Sequence, residues 1–223
     1  MSGPGQRVLS LLRKMIIDGE LAAGKKVSEI PTADLLGVSR MPVRMAFRVL
    51  EQEGLLVRQG GRGFTVRPMT LNDLAGAVEV RGVLEGLAAR QAAERGVTPD
   101  TQAILSQCLE QGDRLFGKGY VTEEDLAEYH DINKRFHHTI VEASGNMAVE
   151  MALARNSHMP FASVSAMAVD RDNLQQEYRR FNFAHMQHHD AVEAILLGQG
   201  ARAESIMREH ANVTLRYARL MQQ

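Results

Sequence analysis

The sequence lacks the features that define several protein classes. It contains a single cysteine, Cys108, so no disulfide can form within the chain, and we expect a reducing, cytoplasmic environment. No apolar run approaches the roughly 20 residues that a membrane span needs. Residues 1–5 are rich in Gly and Pro and do not resemble a signal peptide. A phosphate-binding glycine loop and a nucleophile motif are also missing, which disfavours several classes of enzyme.

Charge is unevenly distributed along a chain of 223 residues, which is long enough for two compact domains. Residues 1–68 contain eleven basic and six acidic residues, a net charge of +5. The remaining residues contain fifteen basic and twenty-one acidic ones, a net charge of −6. This asymmetry indicates a polyanionic partner for the first part alone, although an ordinary solvated surface is the alternative.

The first part has the pattern of three helices followed by a hairpin. Apolar residues at helical spacing predict a helix over 6–19 and a loop over 21–27. Thr32 is expected to cap a short helix over 33–36, which ends at Gly37. Ser39 then caps a further helix that runs to Gly54. Two short apolar segments around the Gly-rich residues 59–63 predict a β-hairpin.

This order of elements is typical of a winged helix-turn-helix, in which one helix enters the major groove of DNA. Arg40, Arg44 and Arg48 are spaced by four residues and therefore form one row on that helix. An arginine fork can pair with guanine or hold a phosphate. The alternative is a solvated helix face. The residues predicted to contact DNA are Ser39, Arg40, Met41, Arg44, Arg48, Gly60, Gly61 and Arg62.

Two segments of the first part resemble a known family. Residues 37–44 read G-V-S-R-M-P-V-R and residues 50–55 read L-E-Q-E-G-L. In both segments the chain is similar to the GntR family of bacterial regulators, whose helix beginning S-R-x-P-V-R reads the operator. The resemblance implies a homodimer on an inverted repeat. Met41 and Met45 replace a usual Thr and Glu, and Ile30-Pro31 replaces a frequent charged pair, which affects the expected operator sequence.

After Pro68 the sequence shows helical patterns and no strand signal. We expect a mainly α protein, with a winged helix-turn-helix domain over 1–68 and an all-helical effector-binding and dimerisation domain over 69–223. The second domain is expected to be a bundle of six or seven helices. Their predicted ranges are 71–95, 99–116, 122–144, 147–168, 172–197 and 201–221.

The helical part resembles the FCD domain, the effector domain of the fatty-acid-regulator branch of that family. The matching segments are residues 80–85, 133–137 and 142–146, with two distant histidines. The resemblance implies a divalent metal site, Zn or Ni above all, beside a small carboxylate. The implied ligands are Asn133, His137, His188 and His210.

The spacing of these residues fits such a site independently. Asn133 and His137 are neighbours on one helix face, and His188 and His210 are nearly symmetric about the turn at 198–200. An antiparallel helix pair would bring the two histidines together. Three imidazoles and one oxygen suit a late divalent ion, although an amide oxygen binds a cation less strongly than a carboxylate. The alternative is that each histidine is a hydrogen-bonded core residue.

The predicted effector site adds two residues to these four. Arg81 could hold a ligand carboxylate with its guanidinium fork, or instead form a salt bridge with Glu85 one turn away. His185 lies one turn before His188 and could be a further ligand. The effector-binding residues are thus Arg81, Asn133, His137, His185, His188 and His210.

Further segments, such as residues 12–16, 79–86 and 207–210, resemble repressors of vanillate catabolism. That resemblance implies release from the operator by a lignin-derived aromatic acid such as vanillate. An aliphatic carboxylate or an activator would also fit the pattern. A metal-dependent enzyme in the helical part would need a general base beside the metal, and neither Asp131 nor Glu142 is placed for this. An architectural DNA-binding protein would not need so large an acidic bundle.

Overall fold

The computed structural model describes residues 4–17, 19–60, 63–68, 70–157 and 173–213. The chain divides into two compact units, Met1–Asp73 and Leu74–Gln223. The division falls a few residues beyond the expected boundary after Pro68 because Asp73 interacts with residues of the first unit. Its carboxylate forms an ion pair with Arg67 and accepts hydrogen bonds from the main-chain N–H and the hydroxyl of Thr70.

The first unit consists of three helices and a small antiparallel sheet. Strand β3 lies between β1 and β2, with Lys26 opposite Thr65 on one side and Arg58 opposite Phe64 on the other. The elements, in chain order, are α1 (Pro4–Ile17), β1 (Lys26–Val27), α2 (Glu29–Leu36), α3 (Arg40–Gln52), β2 (Leu56–Gln59) and β3 (Gly63–Val66).

Two local expectations for this unit were wrong. Helix α2 begins at Glu29 after Ser28, so Thr32 lies inside the helix and does not cap it. The predicted loop over 21–27 contains strand β1, a two-residue strand too short to produce an alternating pattern. The end of α2 was correctly predicted, because Gly37 adopts the left-handed conformation, with φ of 62°, that a helix C-cap favours.

The core of the first unit lies between α1, α3 and the sheet. Phe47 and Phe64 pack edge to face with ring centroids 5.2 Å apart, which joins α3 to β3. At the C-terminal end of α3, Arg13 of α1 forms a two-point ion pair with Glu53. These contacts fix the axis of α3 and leave its opposite face exposed.

The second unit is all-helical in the residues that the structure describes. Thr98 caps α5 by accepting a hydrogen bond from the N–H of Thr101, and Pro99 occupies the first helical position. Asn146 caps α7 and Asn173 caps α8 in the same way, because the side chain of each accepts a hydrogen bond from a main-chain N–H of the helix. The elements are α4 (Leu71–Arg95), α5 (Pro99–Phe116), α6 (Glu123–Ala143), α7 (Met147–Asn156), α8 (Leu174–Leu196) and α9 (Gly200–Ala211).

The mainly α fold with a small sheet is confirmed. The predicted continuations into 158–168 and 214–221 lie outside the described residues. In the part of the chain that the structure describes, no helix is both long and apolar enough to cross a membrane. The core of the second unit also contains an unusual number of polar side chains. Those that are fully or almost fully buried include Arg81, Glu85, Asn133, His137, Glu177, His185, Gln187, His188 and His210.

The start of α6 offers a test of this local analysis. The Thr122 hydroxyl accepts from the Asp125 N–H at 3.2 Å, and the Asp125 carboxylate accepts from the Thr122 N–H at 2.8 Å. Loss of the hydroxyl in Thr122→Ala should lower the free energy of unfolding by about 1 kcal/mol, because one N–H at the helix start loses its acceptor. Urea denaturation of the full chain measures this change.

Thr122→Ser, which keeps the hydroxyl, should stay close to the wild type. Ser205→Ala is the matched control, because the exposed Ser205 hydroxyl bonds the carbonyl of Ala201 in mid-helix at 2.9 Å and caps nothing. Equal effects of Thr122→Ala and Ser205→Ala would contradict the assignment of the cap.

Candidate functional site

An open groove of about 730 Å³ lies on the face of the first unit where α3 is exposed. Four guanidinium groups and one carboxylate line it, so its charge is strongly positive. We call it the arginine groove, and its lining residues are Ser28, Glu29, Ile30, Pro31, Arg40, Arg44, Arg48, Arg58, Gly63 and Phe64.

The row of arginines on α3 lies in this groove, and an acid from another helix, Glu29, faces it. Arg44 donates to both carboxylate oxygens of Glu29, from Nε at 2.7 Å and from Nη2 at 2.8 Å. Arg40 donates to the same carboxylate at 3.4 Å. The hydrogen bond from Arg44 lowers the pKa of Glu29, although its partial burial opposes the shift. Glu29 belongs to α2, so the pattern of α3 could not show it.

The other residues predicted to contact DNA are exposed where the structure describes them. Ser39 precedes α3 without a side-chain cap hydrogen bond, and Met41 is 60% exposed. Gly60 lies in the turn after β2, whereas Gly61 and Arg62 lie outside the described residues. Arg58 is an addition that the sequence analysis missed. It lines the groove from β2, with its guanidinium 5.2 Å from the ring centre of Phe64.

A group of three buried imidazoles lies in the core of the second unit. Helix α6 supplies His137, α8 supplies His188 and α9 supplies His210, and one ring nitrogen of each lies within 4.8 Å of those of the others. We call these three residues the histidine cluster. Asn133, the predicted fourth ligand, is buried one turn before His137 on α6. Helices α8 and α9 form a hairpin around Gly198, which brings their histidines together.

Neighbouring side chains determine which nitrogen each ring presents to the cluster. The Oε1 atom of Gln187 lies 3.1 Å from Nδ1 of His210, so the proton of that ring belongs on Nδ1. Nε2 of His210 is then left with a lone pair, 3.2 Å from Nε2 of His188. Burial lowers the pKa of His188 well below its ordinary value and that of His210 to about 3. His188 and His210 are therefore uncharged at neutral pH.

A buried ion pair lies beside the cluster. Oε2 of Glu85 is 3.3 Å from Nδ1 of His137 and 3.8 Å from Nε of Arg81. Although burial acts to raise the pKa of Glu85, His137 and then Arg81 keep it below its ordinary value. Arg81 also donates from Nη2 to the carbonyl of Ala211 at 3.1 Å. Arg81 thus lies beside the cluster. It also forms the salt bridge to Glu85 that the sequence analysis gave as its alternative role.

The chemistry of this site fits a divalent metal ion. Nε2 of His137 is buried and has no hydrogen-bond partner among the described residues. Nε2 of His137 and Nε2 of His210 can therefore serve as the unprotonated nitrogens that a late divalent ion requires as ligands. Glu85 is a carboxylate at the rim that the sequence analysis considered only as a partner of Arg81. The i, i+4 spacing of the two was the only available signal.

His185, the remaining predicted residue, belongs to a different group. Its Nε2 lies 2.9 Å from Asp113 on α5, while its ring centre is 6.0 Å from that of His188. Aromatic rings fill the space between the helices at this level. Phe136 stacks on His188 with ring centres 3.9 Å apart, and Tyr129 stacks at 6.4 Å. The Tyr129 hydroxyl is buried without a partner among the described residues, and burial raises its pKa.

Comparison with known proteins places both units in a family. Residues 4–66 match the model of bacterial regulatory proteins, gntR family, and residues 77–213 match the model of the FCD domain. The chain is 30% identical over 172 residues to the HTH-type transcriptional regulator YdhC of Bacillus subtilis, covering 76% of this chain and 75% of that protein. It is 28% identical over 204 residues to the Glc operon transcriptional activator of Escherichia coli, covering 83% and 78%.

A solved structure has the same fold over the whole chain. The E. coli protein McbR/YncC superposes with a TM-score of 0.62 at 23% identity, covering 100% of this chain and 99% of that one. The matching families and relatives are transcriptional regulators, so the enzymatic alternative is set aside. The winged unit with its arginine groove and the helical unit with its histidine cluster therefore have one explanation: the chain belongs to the GntR family of DNA-binding transcriptional regulators and carries an FCD domain.

Proposed function

We propose that the protein is a repressor that binds an inverted-repeat operator as a homodimer and is released by a small carboxylic acid. The arginine groove is the observation that supports operator binding most directly. The histidine cluster and Arg81 form the proposed effector site. Aromatic acids of the vanillate type are the first effector class to test, with aliphatic carboxylates as the comparison. Since its operator lies on bacterial DNA, the protein would act in the cytoplasm.

Binding of DNA in the groove requires Arg44 to exchange one partner for another. Its side chain is 40% exposed, and solvent therefore weakens the ion pair with Glu29. A two-point contact with guanine discriminates against other bases by about 1–3 kcal/mol. The exchange is favourable on balance, so Arg44 can leave Glu29 for a base edge. Arg48 and Arg58 also line the groove and would contact phosphates, Arg58 after leaving its ion pair with Glu51.

We expect Arg44→Ala to weaken binding to the operator by about 1–3 kcal/mol, or roughly 5- to 150-fold, because a base contact is lost. Arg40→Ala should have an effect of the same kind. The measurement is fluorescence anisotropy with a duplex selected from a random-sequence pool, compared with a scrambled duplex. Both variants should lose selectivity between the two duplexes.

Arg7→Ala serves as the control, because Arg7 is exposed on α1 and does not line the groove. Its effect should be small and similar for both duplexes. Unchanged selectivity in both Arg40→Ala and Arg44→Ala would refute the proposal that the groove reads the operator.

Glu29 gives a second, opposite prediction. Glu29→Gln removes the only acid that lines the groove in the described part of the chain, so affinity for both duplexes should rise by up to about fivefold, the value of an exposed ion pair. The salt dependence should steepen because one more counterion is released. Asp34→Asn, on the exposed side of the same helix, should change neither quantity. A selective loss of operator binding would instead mean that Glu29 positions Arg44.

The proposed effector site combines a cation, imidazoles and aromatic faces in one buried region. The positive charge of Arg81 lies close enough to His210 to contribute to its low pKa, after burial and the neighbouring His137. A ligand carboxylate could accept hydrogen bonds from the guanidinium while displacing its contact with Glu85. The stacked rings of Phe136 and Tyr129 would suit an aromatic body attached to that carboxylate.

We further propose that His137, His188 and His210, with Asn133 as a weaker oxygen ligand, hold a divalent ion such as Zn or Ni. A bound ion would supply a positive centre that attracts a carboxylate. Gln187 would orient His210 through the hydrogen bond to Nδ1, an arrangement that supports metal-binding histidines in general. Glu85 would hold His137 from the opposite side.

The effector proposal is tested by thermal unfolding with a panel of aromatic and aliphatic acids, with and without chelator. An acid at 100 times its Kd should stabilise the protein by about 2.7 kcal/mol, and so raise Tm by roughly 5–10 °C. The same acid should weaken operator binding by about 5- to 150-fold, because DNA and effector favour different states of the dimer. Chelation should reduce both effects.

Arg81→Lys keeps the charge but loses the fork, and it should weaken the acid at least tenfold. Arg90→Lys is the matched control, since Arg90 pairs with Glu204 on the surface, away from the cluster. If the acids tighten operator binding, the proposal of a ligand-released repressor is wrong and the activator is favoured. If no acid changes Tm or operator binding at millimolar concentration, the effector proposal is wrong.

A further inference from the structure

A second group of metal-binding side chains lies outside the histidine cluster, between α5 and α8. Nε2 of His185 and Nε2 of His189 lie 2.9 Å and 2.8 Å from the same oxygen of Asp113. The two histidines are four residues apart and therefore on one face of α8. We call Asp113, His185 and His189 the edge triad, and their ligand atoms all lie within 4.8 Å of one another.

The chain is adapted to hold His185 in this position. A Cβ atom at Gly112 would lie 2.2 Å from Cε1 of His185, so a glycine is required where the ring crosses α5. Glycine in the interior of a helix costs about 1 kcal/mol relative to alanine. The cost is offset by a close approach that places the imidazole beside the next residue of α5, Asp113. Ring contacts with Phe116 and Tyr129 hold His185 from its other sides.

Hydrogen bonding alone leaves a conflict in the edge triad. A neutral imidazole carries one ring proton. If the proton of His185 is on Nε2, the buried Nδ1 is left with a lone pair and has no proton for its interaction with the main chain of Leu109. If the proton is on Nδ1, the lone pair of Nε2 faces a carboxylate oxygen at 2.9 Å.

A metal cation resolves this conflict, because it binds the Nε2 lone pairs and the carboxylate together and leaves the proton of His185 on Nδ1, toward the main chain of Leu109. Bonds of about 2.0–2.2 Å to nitrogen and oxygen would place the ligand atoms about 3.3 Å apart, a small adjustment from the observed distances. The triad also has an open side. His185 is buried, whereas the side chains of His189 and Asp113 are 37% and 49% exposed.

We propose that the edge triad is a divalent metal site, with Zn²⁺ or another late divalent cation as the bound ion. Two imidazoles and one carboxylate are ligands typical of such ions, and the exposed side leaves a position for water or a small anion. A cation there would cross-link α5 and α8. This site is distinct from the histidine cluster, and its proposal does not depend on operator or effector binding.

The test is Zn²⁺ uptake by chelator-stripped full-length protein, measured by equilibrium dialysis and isothermal titration. His189→Ala should bind one zinc ion fewer per chain than the wild type. Asp113→Asn should weaken binding of that ion at least tenfold, because the amide still accepts the hydrogen bonds but carries no charge. Zn²⁺ should raise Tm less in both variants than in the wild type.

Two controls separate the sites. His138→Ala removes an imidazole that is 60% exposed and pairs with Glu142, and zinc uptake should stay at the wild-type value. His210→Ala removes one imidazole of the histidine cluster. This variant should still bind the zinc ion of the edge triad, which His189→Ala does not bind. If His189→Ala and Asp113→Asn bind as many zinc ions as the wild type, with equal affinity, the triad is only a hydrogen-bonded structural contact and the proposal is overturned.

Discussion

Three imidazoles lie in mutual contact in a buried helical core, and the need to satisfy their ring nitrogens there organises the helical unit. Burial and the neighbouring rings lower the pKa of His188 and His210, so that each keeps at most one ring proton. Each ring must then match one donor and one acceptor with its surroundings. Gln187 satisfies His210, and Glu85 faces His137. Nε2 of His188 and Nε2 of His210 lie 3.2 Å apart, and Nε2 of His137 has no hydrogen-bond partner among the described residues, which supports the proposed metal site.

The ion pair beside the cluster follows from the same constraint. A buried carboxylate without a partner would lose several kcal/mol of solvation, and Arg81 compensates for this in part. Arg81 in turn bonds the carbonyl of Ala211 at the end of α9. One chain of contacts therefore runs from α4 through the histidine cluster to α9. A ligand that takes the guanidinium from Glu85 changes the partners of every group in this chain.

Local signals predicted the helices well, because helix ends depend on neighbours in sequence. Thr98 and Pro99 mark the start of α5, and Gly37 marks the end of α2. The same signals failed at β1, which exists only through its pairing with β3. The row of arginines on α3 could be predicted from spacing, but the carboxylate of Glu29 reaches it from another helix. A sequence pattern gives the face of one helix and not the groups that approach it.

The candidate site shows the same division. The turn around Gly198 predicts that His188 and His210 approach each other, since both lie on one helix hairpin. Nothing local indicates that Asp113 meets His185 and His189, because α5 and α8 are distant in sequence. His185 was considered with the histidine cluster because its helix position is one turn from His188. The distance from ring to carboxylate, and not the helix face, assigns it to the edge triad.

Helix α8 carries residues of both groups, and this has an energetic consequence. His185 and His189 belong to the edge triad. His188, which lies between them in sequence, belongs to the histidine cluster. A ligand bound at either proposed site would restrict the rotation of the same helix about its axis. If the first ligand orders α8, the second ligand has less conformational freedom to remove and binds more tightly. Each ligand would then raise the affinity for the other by the same factor. Coupling between the two groups needs no larger movement than a change in the orientation of one helical turn.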